Sequence, residues 1–240
     1  MTKYFLLAVP ATLLATQAFG QTIEFSGRAN VGFSEFRGDN ATTTTTVVTS
    51  NSGTSESTRA VNPYGKHLGT GFGVSVRAQR ISKIGFLTAL DLGFDWMQAR
   101  SDVNYIYYNT SSSYSRTADG TVRLYTPAIT AFLGAGWRLS GEKYSLDALV
   151  GPELAYVLNA REKGDGTTSA NGGWSSDVDR SPANRLDFRV RGDVTLWRSQ
   201  VGLTLSYSNG FANYQPATSA VPSPDAQVRL LRVGLAYRLK

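Results

Sequence analysis

Apolar and polar residues alternate along most of the chain after residue 21. Side chains on a β-strand point to opposite faces in turn, so a period of two predicts strands with one apolar and one polar face. No segment shows a convincing apolar stripe at the helical period of 3.6 residues, and the sequence therefore predicts an all-β fold. The eight predicted strands cover approximately residues 23–34, 71–79, 84–96, 125–139, 144–159, 185–196, 201–208 and 231–240.

A few bulky residues fall out of phase with this alternation. Leu87, Phe132 and Trp197 each stand where the pattern of the strand expects a polar or small residue. Trp197 lies beside a predicted turn. Because the neighbouring positions keep the period of two, the three residues count as exceptions within predicted strands.

The links between the strands alternate between two lengths. Two of the long links are rich in Ser, Thr, Gly and Asp, a composition that is too polar to bury a core and predicts mobile loops. Another long link contains the segment NYIYY, which predicts that its flanking strands continue as a paired ribbon. The short links are 80–83, 140–143 and 198–200, and the long links are about 37–68, 100–121, 162–183 and 209–226.

Alternation alone leaves two architectures open. In a soluble barrel or sandwich the apolar face points inward, whereas in an outer-membrane barrel it contacts lipid and the polar face fills the lumen. Strands of about ten residues, an even strand number and the alternation of short and long links favour the membrane barrel. Aromatic residues near the strand ends are typical of a membrane interface, and they are Trp96, Trp137, Tyr144, Tyr207 and Tyr237. The predicted fold is an eight-stranded antiparallel up-and-down transmembrane β-barrel.

The first twenty residues have the pattern of a secretory signal peptide. Lys3 precedes an apolar stretch from Tyr4 to Leu14, which is shorter than a membrane-spanning helix. Small residues follow, and cleavage is predicted after Gly20 or after Ala18. We therefore expect residues 1–20 to direct export and residues 21–240 to form the barrel domain.

Composition supports a single exported domain without nucleic-acid partners. The chain has 240 residues and a formal charge of +6, but its 24 basic residues are scattered among 18 acidic ones and form no run. It contains no cysteine, which excludes disulfide scaffolds and thiolate metal sites.

Three segments resemble a known family. VGLAYRLK at the end of the chain is similar to the terminal strand of small outer-membrane barrels. RLYTPAITAFLGAGWRL and LVGPELAY are similar to internal strands of the outer membrane protein beta-barrel domain family, which includes porin-like and opacity-protein-like barrels. The resemblance implies a bacterial outer-membrane location and assembly by the barrel-assembly machinery. It implies no single activity, because the family includes adhesins, structural anchors, narrow pores and a few enzymes.

The candidates for chemistry are few. His67 is the only histidine and stands in no recognisable catalytic spacing. Asp91 and Asp95 lie on one strand at a separation of about 13 Å, too far apart to share a cation. The segment GTGFG at 69–73 lacks the helix that a phosphate loop requires. No catalytic, cofactor-binding or metal-binding residue is predicted.

The polar face of the predicted strands carries charges of both signs. Opposite charges across a narrow lumen are expected to pair, because unpaired buried charges are costly. Seven carboxylates and seven arginines are predicted to face inward, and they are Glu24, Asp91, Asp95, Asp147, Glu153, Asp187, Asp193, Arg28, Arg77, Arg138, Arg189, Arg191, Arg232 and Arg238.

The expected function is a non-enzymatic structural or surface-interaction role. The lumen would be largely closed, and the long loops would be available to an extracellular ligand. The alternatives are a narrow channel for small solutes and, less favoured, a lipid-modifying enzyme that uses His67. No cofactor is expected, and the expected partners are outer-membrane lipid, the assembly machinery and a ligand of the loops.

Overall fold

The computed structural model describes residues 22–52, 55–109, 113–170, 172–215 and 225–239, so the predicted signal peptide lies outside the described residues. No helix in this part of the chain is long and apolar enough to cross a membrane. The described residues form twelve β-strands: β1 (Thr22–Arg37), β2 (Thr44–Ser52), β3 (Ser55–Ala60), β4 (His67–Ile81), β5 (Phe86–Asn109), β6 (Tyr114–Ser140), β7 (Ser145–Val157), β8 (Ala160–Thr168), β9 (Gly173–Arg180), β10 (Leu186–Arg198), β11 (Val201–Gly210) and β12 (Gln227–Leu239).

Eight of the strands pair in a closed ring. The order around the ring is β1, β4, β5, β6, β7, β10, β11 and β12, and every neighbouring pair is antiparallel. β12 pairs in turn with β1, where Val233 stands opposite Val31. Because both edges of the sheet pair with each other, the ring leaves no strand edge open to association.

The number of strands predicted from sequence was wrong. The ring contains the eight predicted strands, but β2, β3, β8 and β9 come from the first and third long links, which were predicted to be mobile loops. β2 pairs in parallel with the C-terminal half of β5, and β8 pairs antiparallel with the N-terminal half of β6. The run of Thr and Val in β2 has high strand propensity, and the long β5–β6 ribbon supplies the edges on which these strands form.

The predicted ribbon between β5 and β6 is confirmed. Pairing continues through the second long link as far as Tyr108, which stands opposite Tyr114. The short links are also present at the opposite end of the ring, although they lie at residues 82–85, 141–144 and 199–200 and are thus shifted by one or two residues from the predicted bounds. Two of them turn through the left-handed backbone region, at Gly85 with φ +80° and at Ser199 with φ 56°. Tight turns of this kind hold the ring strands in register.

The apolar register of the ring faces outward. On β12, Val233 is 40% exposed and Leu235 is 60% exposed, whereas Arg232, which precedes Val233, is only 3% exposed. The predicted aromatic residues, among them Trp137 and Tyr237, are exposed on the same outer face. This arrangement reverses that of a soluble β-protein, in which the apolar side chains fill the core.

The three out-of-phase residues point into the ring. Leu87, Phe132 and Trp197 are each at most 2% exposed. Leu87 and Phe132 belong to a small apolar cluster that also includes Ala89 and Leu149. Their departure from the pattern therefore reflects apolar filling of the interior.

Candidate functional site

Ion pairs occupy the interior of the ring at the end near the short links. Arg138 contacts Glu24 at 2.9 Å and Asp147 at 2.6 Å. The indole nitrogen of Trp197 donates to Asp147 at 2.8 Å, and the guanidinium of Arg238 lies 4.2 Å from the centre of a Trp197 ring. The indole and the ion pairs together fill this end of the ring.

The middle of the interior holds a second cluster. Asp193 contacts Arg28 at 3.0 Å, Arg77 at 3.0 Å and Arg191 at 2.6 Å. Asp91 contacts Arg77 at 2.5 Å and Arg28 at 3.2 Å. These residues come from strands β1, β4, β5 and β10, so the cluster bridges the cross-section of the ring.

A third cluster lies towards the long links. Arg232 contacts Asp95 at 2.6 Å and Glu153 at 3.1 Å. Arg189 contacts Asp187 at 2.7 Å and Glu153 at 3.5 Å. Shared partners such as Glu153, which also contacts Arg191, join this cluster to the middle one. Arg238 lies 3.2 Å from Glu24, so the predicted inward-facing carboxylates and arginines all take part in ion pairs, and their equal numbers cancel in formal charge.

An apolar cap closes the ring above the third cluster. The aromatic side chain of Phe36 packs edge to face against those of Tyr64 and Tyr214, with centroids 5.2 and 5.3 Å apart. The hydroxyl of Tyr64 donates to the carbonyl oxygen of Tyr214 at 2.9 Å. The hydroxyl of Tyr214 lies 3.0 Å from Asp187, which ties the cap to the charged network. Further buried members of the cap are Met97, Ala99, Leu124, Val157, Val228 and Leu230.

Burial changes the acidity of the cap. The pKa of Tyr64 is raised to about 12, chiefly because burial disfavours the phenolate, although the positive charge of Arg180 acts in the opposite direction. Tyr64 is therefore a neutral hydrogen-bond donor at physiological pH.

Beyond the ring, six strands form a second curved sheet, which we call the outer sheet. Its order is β3, β2, the C-terminal part of β5, the N-terminal part of β6, β8 and β9. The outer sheet has its own apolar core, in which Trp174 is the largest member. The other buried members are Val47, Ala60, Val103, Ile106, Ala118 and Val122. A separate core indicates that this sheet is an ordered structure rather than a set of loops.

The edges of the outer sheet, β3 and β9, approach each other along a line that we call the seam. At its base, the backbone nitrogen of Ala60 donates to the carboxylate of Glu162 at 2.7 Å. Arg180 donates to the carbonyl oxygen of Ala60 and to Glu162. These side chains replace the backbone partners that a neighbouring strand would supply. Farther from the ring the seam opens into a cleft of about 450 Å³, lined by residues that include Thr58 and Trp174.

The structure separates the candidate chemical residues. His67 begins β4, and its Nε2 lies 3.2 Å from Asp102 on the outer face. Asp91 and Asp95 belong to different ion-pair clusters, as their predicted separation implied. The glycine segment 69–73 lies within β4, where a Cβ on Gly71 would fall 1.9 Å from the carbonyl oxygen of Trp96. These glycines therefore permit close strand approach.

Among the described residues, no group of three or more His, Asp or Glu side chains is arranged to hold a metal ion.

Sequence reasoning did not find the cap or the seam. Phe36 follows the predicted first strand, whereas Tyr64 and Tyr214 lie in links, where alternation carries no signal. Trp197 did carry a signal, because a tryptophan on a polar register indicates apolar filling of the interior.

No protein-family model matches the chain, and no curated protein matches it significantly. Among solved structures, the chain is similar to Ail, the attachment invasion locus protein of Yersinia pestis, with 13% identity, coverage of 90% of this chain and 98% of that chain, and a TM-score of 0.39. Ail in complex with the heparin analogue sucrose octasulfate gives 11% identity, coverage of 91% and 99%, and a TM-score of 0.37. Neisserial surface protein A (NspA) gives 10% identity, coverage of 90% and 97%, and a TM-score of 0.34.

The described residues of this chain form strands and no helix, which agrees with the predicted all-β fold. Similarities with TM-scores below 0.5 carry no argument about function. The functional interpretation therefore depends on the geometry of the chain itself.

Proposed function

We propose that the closed ring is a transmembrane β-barrel of the bacterial outer membrane and that the protein acts without enzymatic activity at the cell surface. In this role the barrel is an anchor with a closed lumen, and the outer sheet projects from the cell as an interaction surface. Residues 21–240 would form the mature protein after removal of residues 1–20, and the barrel-assembly machinery would insert it.

The observation that carries this proposal is the inversion of burial around the ring. Charged residues such as Arg77, Arg189 and Asp193 are at most 1% exposed, whereas large apolar residues such as Leu203 are more than half exposed. A continuous apolar outer surface of this kind is unfavourable in water and is the expected surface of a barrel in lipid. Exposed aromatic residues lie at both ends of the ring, where the two membrane–water interfaces would be: Trp137 and Tyr144 at one end and Trp96 at the other.

The filled interior supports an anchor rather than a channel. Three ion-pair clusters occupy the lumen, and the aromatic rings of Phe36, Tyr64 and Tyr214 cover one end. An ion crossing the barrel would have to break several buried charge pairs, and leaving a buried charge uncompensated is costly. A narrow channel for small solutes is therefore the alternative and not the proposal.

The outer sheet supports a surface-interaction role. It is an ordered structure with its own core, and strand edges at its seam present backbone groups that an extended segment of a partner could pair with. Exposed tyrosines on the ribbon, Tyr105, Tyr107 and Tyr114, add side chains of a type that is frequent in binding surfaces.

Planar-bilayer recording tests the closed lumen directly. The purified protein is expected to insert without reproducible conductance steps, and membrane fractionation after urea extraction is expected to leave it in the outer-membrane fraction. Heat-dependent gel migration would show that the inserted chain is folded. Reproducible open channels from folded protein would contradict the closed lumen, and a protein found wholly in the soluble periplasm would contradict the membrane location.

No catalytic role is proposed for His67. Its Nε2 lies 3.2 Å from Asp102 on the outer face, on the opposite side of the sheet from the charged clusters of the lumen. Replacing it, as His67→Ala, is expected to leave the lipid composition of the producing cell unchanged. A lipid modification that depends on His67 would favour the enzymatic alternative.

A further inference from the structure

Four nitrogen-bearing side chains form a row across the outer face of the chain, which we call the basic row. His67 on β4 stands opposite Arg100 on β5, and Arg100 stands opposite Arg123 on β6. Arg123 in turn stands opposite Lys163 on β8. Directly opposed residues on neighbouring strands have Cβ atoms about 4.5–5.5 Å apart, so the row places Arg100 and Arg123 side by side.

The two central members of the basic row lack counter-ions. His67 contacts Asp102 at 3.2 Å, and Lys163 lies 3.8 Å from Asp177. No carboxylate in the described part of the chain forms an ion pair with Arg100 or Arg123. Like charges directly opposite each other destabilise a sheet, and an anion bound between them would remove this cost.

A concave site lies directly below the row. Its volume is about 370 Å³, and Trp96, Tyr125 and Pro127 form its apolar wall. The Trp96 and Tyr125 rings lie 6.2 Å apart. Asn159, Arg161 and Lys163 form the polar rim, so the site combines an aromatic wall with cationic and amide groups.

The height of the row fits the boundary of a membrane. Trp137 and Tyr125 mark the two ends of the outward apolar face of β6. A strand rises about 3.4 Å per residue and is tilted by about 40° in a barrel, so the two residues are about 30 Å apart along the membrane normal. The hydrocarbon core of a bilayer is about 30 Å thick. Arg123, two residues beyond Tyr125, therefore lies at the level of the lipid headgroups.

We propose that the basic row and the concave site below it bind the headgroup of a membrane lipid that carries a phosphomonoester. The phosphate would lie between Arg100 and Arg123, and the adjoining part of the lipid would contact Trp96 and Tyr125. Arginine suits this task because its planar guanidinium donates two hydrogen bonds to a phosphate. The inference depends on the membrane location proposed above.

Lipid retention in nanodiscs tests the site. The folded protein is placed in phosphatidylcholine nanodiscs with or without phosphatidic acid of the same acyl chains, and retained lipid is counted by native mass spectrometry. Arg100→Gln/Arg123→Gln is expected to lower the apparent affinity for phosphatidic acid about 30-fold, given about fivefold for each arginine near an anionic surface.

The matched control is Arg59→Gln/Arg116→Gln. It removes the same charge from exposed positions on the outer sheet, about seven residues farther from the membrane along the strands, and is expected to retain phosphatidic acid as the unaltered protein does. Equal retention by the Arg100→Gln/Arg123→Gln variant and the unaltered protein would overturn the inference. Inorganic phosphate separates the two sources of the anion: if it raises the melting temperature in pure phosphatidylcholine as much as phosphatidic acid does, the lipid assignment is wrong.

Folding into pure phosphatidylcholine, followed by heat-dependent gel migration, separates this inference from the proposed function. A chain that does not insert contradicts the membrane location and the lipid site together. A chain that inserts but shows no preference for phosphatidic acid contradicts the lipid site alone.

Discussion

Single carboxylates in the barrel interior each neutralise several arginines. Asp193 contacts Arg28, Arg77 and Arg191, which also contact Asp91 or Glu153. Removing one carboxylate therefore leaves several buried arginines with only part of their compensating charge. The cost of a substitution is set by the partners that it leaves behind, and not by the contact alone.

Asp193→Asn is expected to lower the free energy of unfolding by about 3–5 kcal/mol, because three buried arginines lose a common partner. Urea unfolding of the protein in lipid vesicles measures the change. Asp177→Asn is the matched control, since Asp177 pairs with Arg161 on the exposed outer sheet and surface pairs contribute little. Similar unfolding midpoints for the two variants would show that the interior network does not stabilise the fold.

Tyr64 gives the cap a dependence on alkaline pH. Its pKa in the folded protein is raised to about 12, above the value of about 10 for an unfolded chain. The neutral phenol therefore contributes its full stability below pH 10, and this contribution is lost as the pH rises through 12. Absorbance of the phenolate band is expected to show a late-titrating component that Tyr64→Phe removes. If the difference between the titrations of the unaltered protein and Tyr64→Phe has its midpoint near pH 10, the burial of this hydroxyl is contradicted.

The elements of the outer sheet depend on a core that is separate from the barrel. Trp174 on β9 packs with Val47, Val122 and other residues of that core, and among the described residues this core and the cap of the lumen have no buried member in common. The outer sheet can therefore lose order while the barrel stays closed.

Trp174→Ala is expected to cost the outer sheet about 3–5 kcal/mol through the loss of a large buried side chain. Limited proteolysis should then cut within β2–β3 or β8–β9 while heat-dependent gel migration of the barrel persists. Trp137→Ala, which removes an exposed ring of the barrel, should leave the outer sheet resistant to protease. Simultaneous loss of the barrel and the outer sheet in Trp174→Ala would contradict separate cores.

At this scale the sequence predicted the barrel strands better than the outer sheet. Alternation placed Arg28 and Asp193 on the inward register because ring strands have one charged face and one apolar face. β2 and β8 lack a clear alternation, since both of their faces are polar or small in much of their length. Their strand structure depends on the edges of β5 and β6, and a pairing partner distant in sequence leaves no local pattern. The consecutive Thr and Val residues of β2 were the available signal, because β-branched residues favour strands.

At the scale of the whole molecule, two surfaces of opposite character share one sheet. The ring buries its charges and exposes its apolar residues, whereas the outer sheet buries Trp174 and exposes Arg161 and Asp177. The change from an apolar outer surface to a polar one occurs on β5 and β6, just beyond Trp96 and Tyr125. A membrane ending at this level accounts for both patterns, because each part then presents a surface that matches its surroundings.

Thiol accessibility tests this inversion most directly, because the chain contains no native cysteine. Leu205 and Ser206 are neighbours on β11, and Leu205 is exposed whereas Ser206 is buried. In vesicles, Leu205→Cys is expected to react with a lipid-soluble thiol reagent and not with a membrane-impermeant one, and Ser206→Cys is expected to react with neither until the protein is unfolded. Ready labelling of Ser206→Cys by the water-soluble reagent, with Leu205→Cys protected from both, would contradict the account.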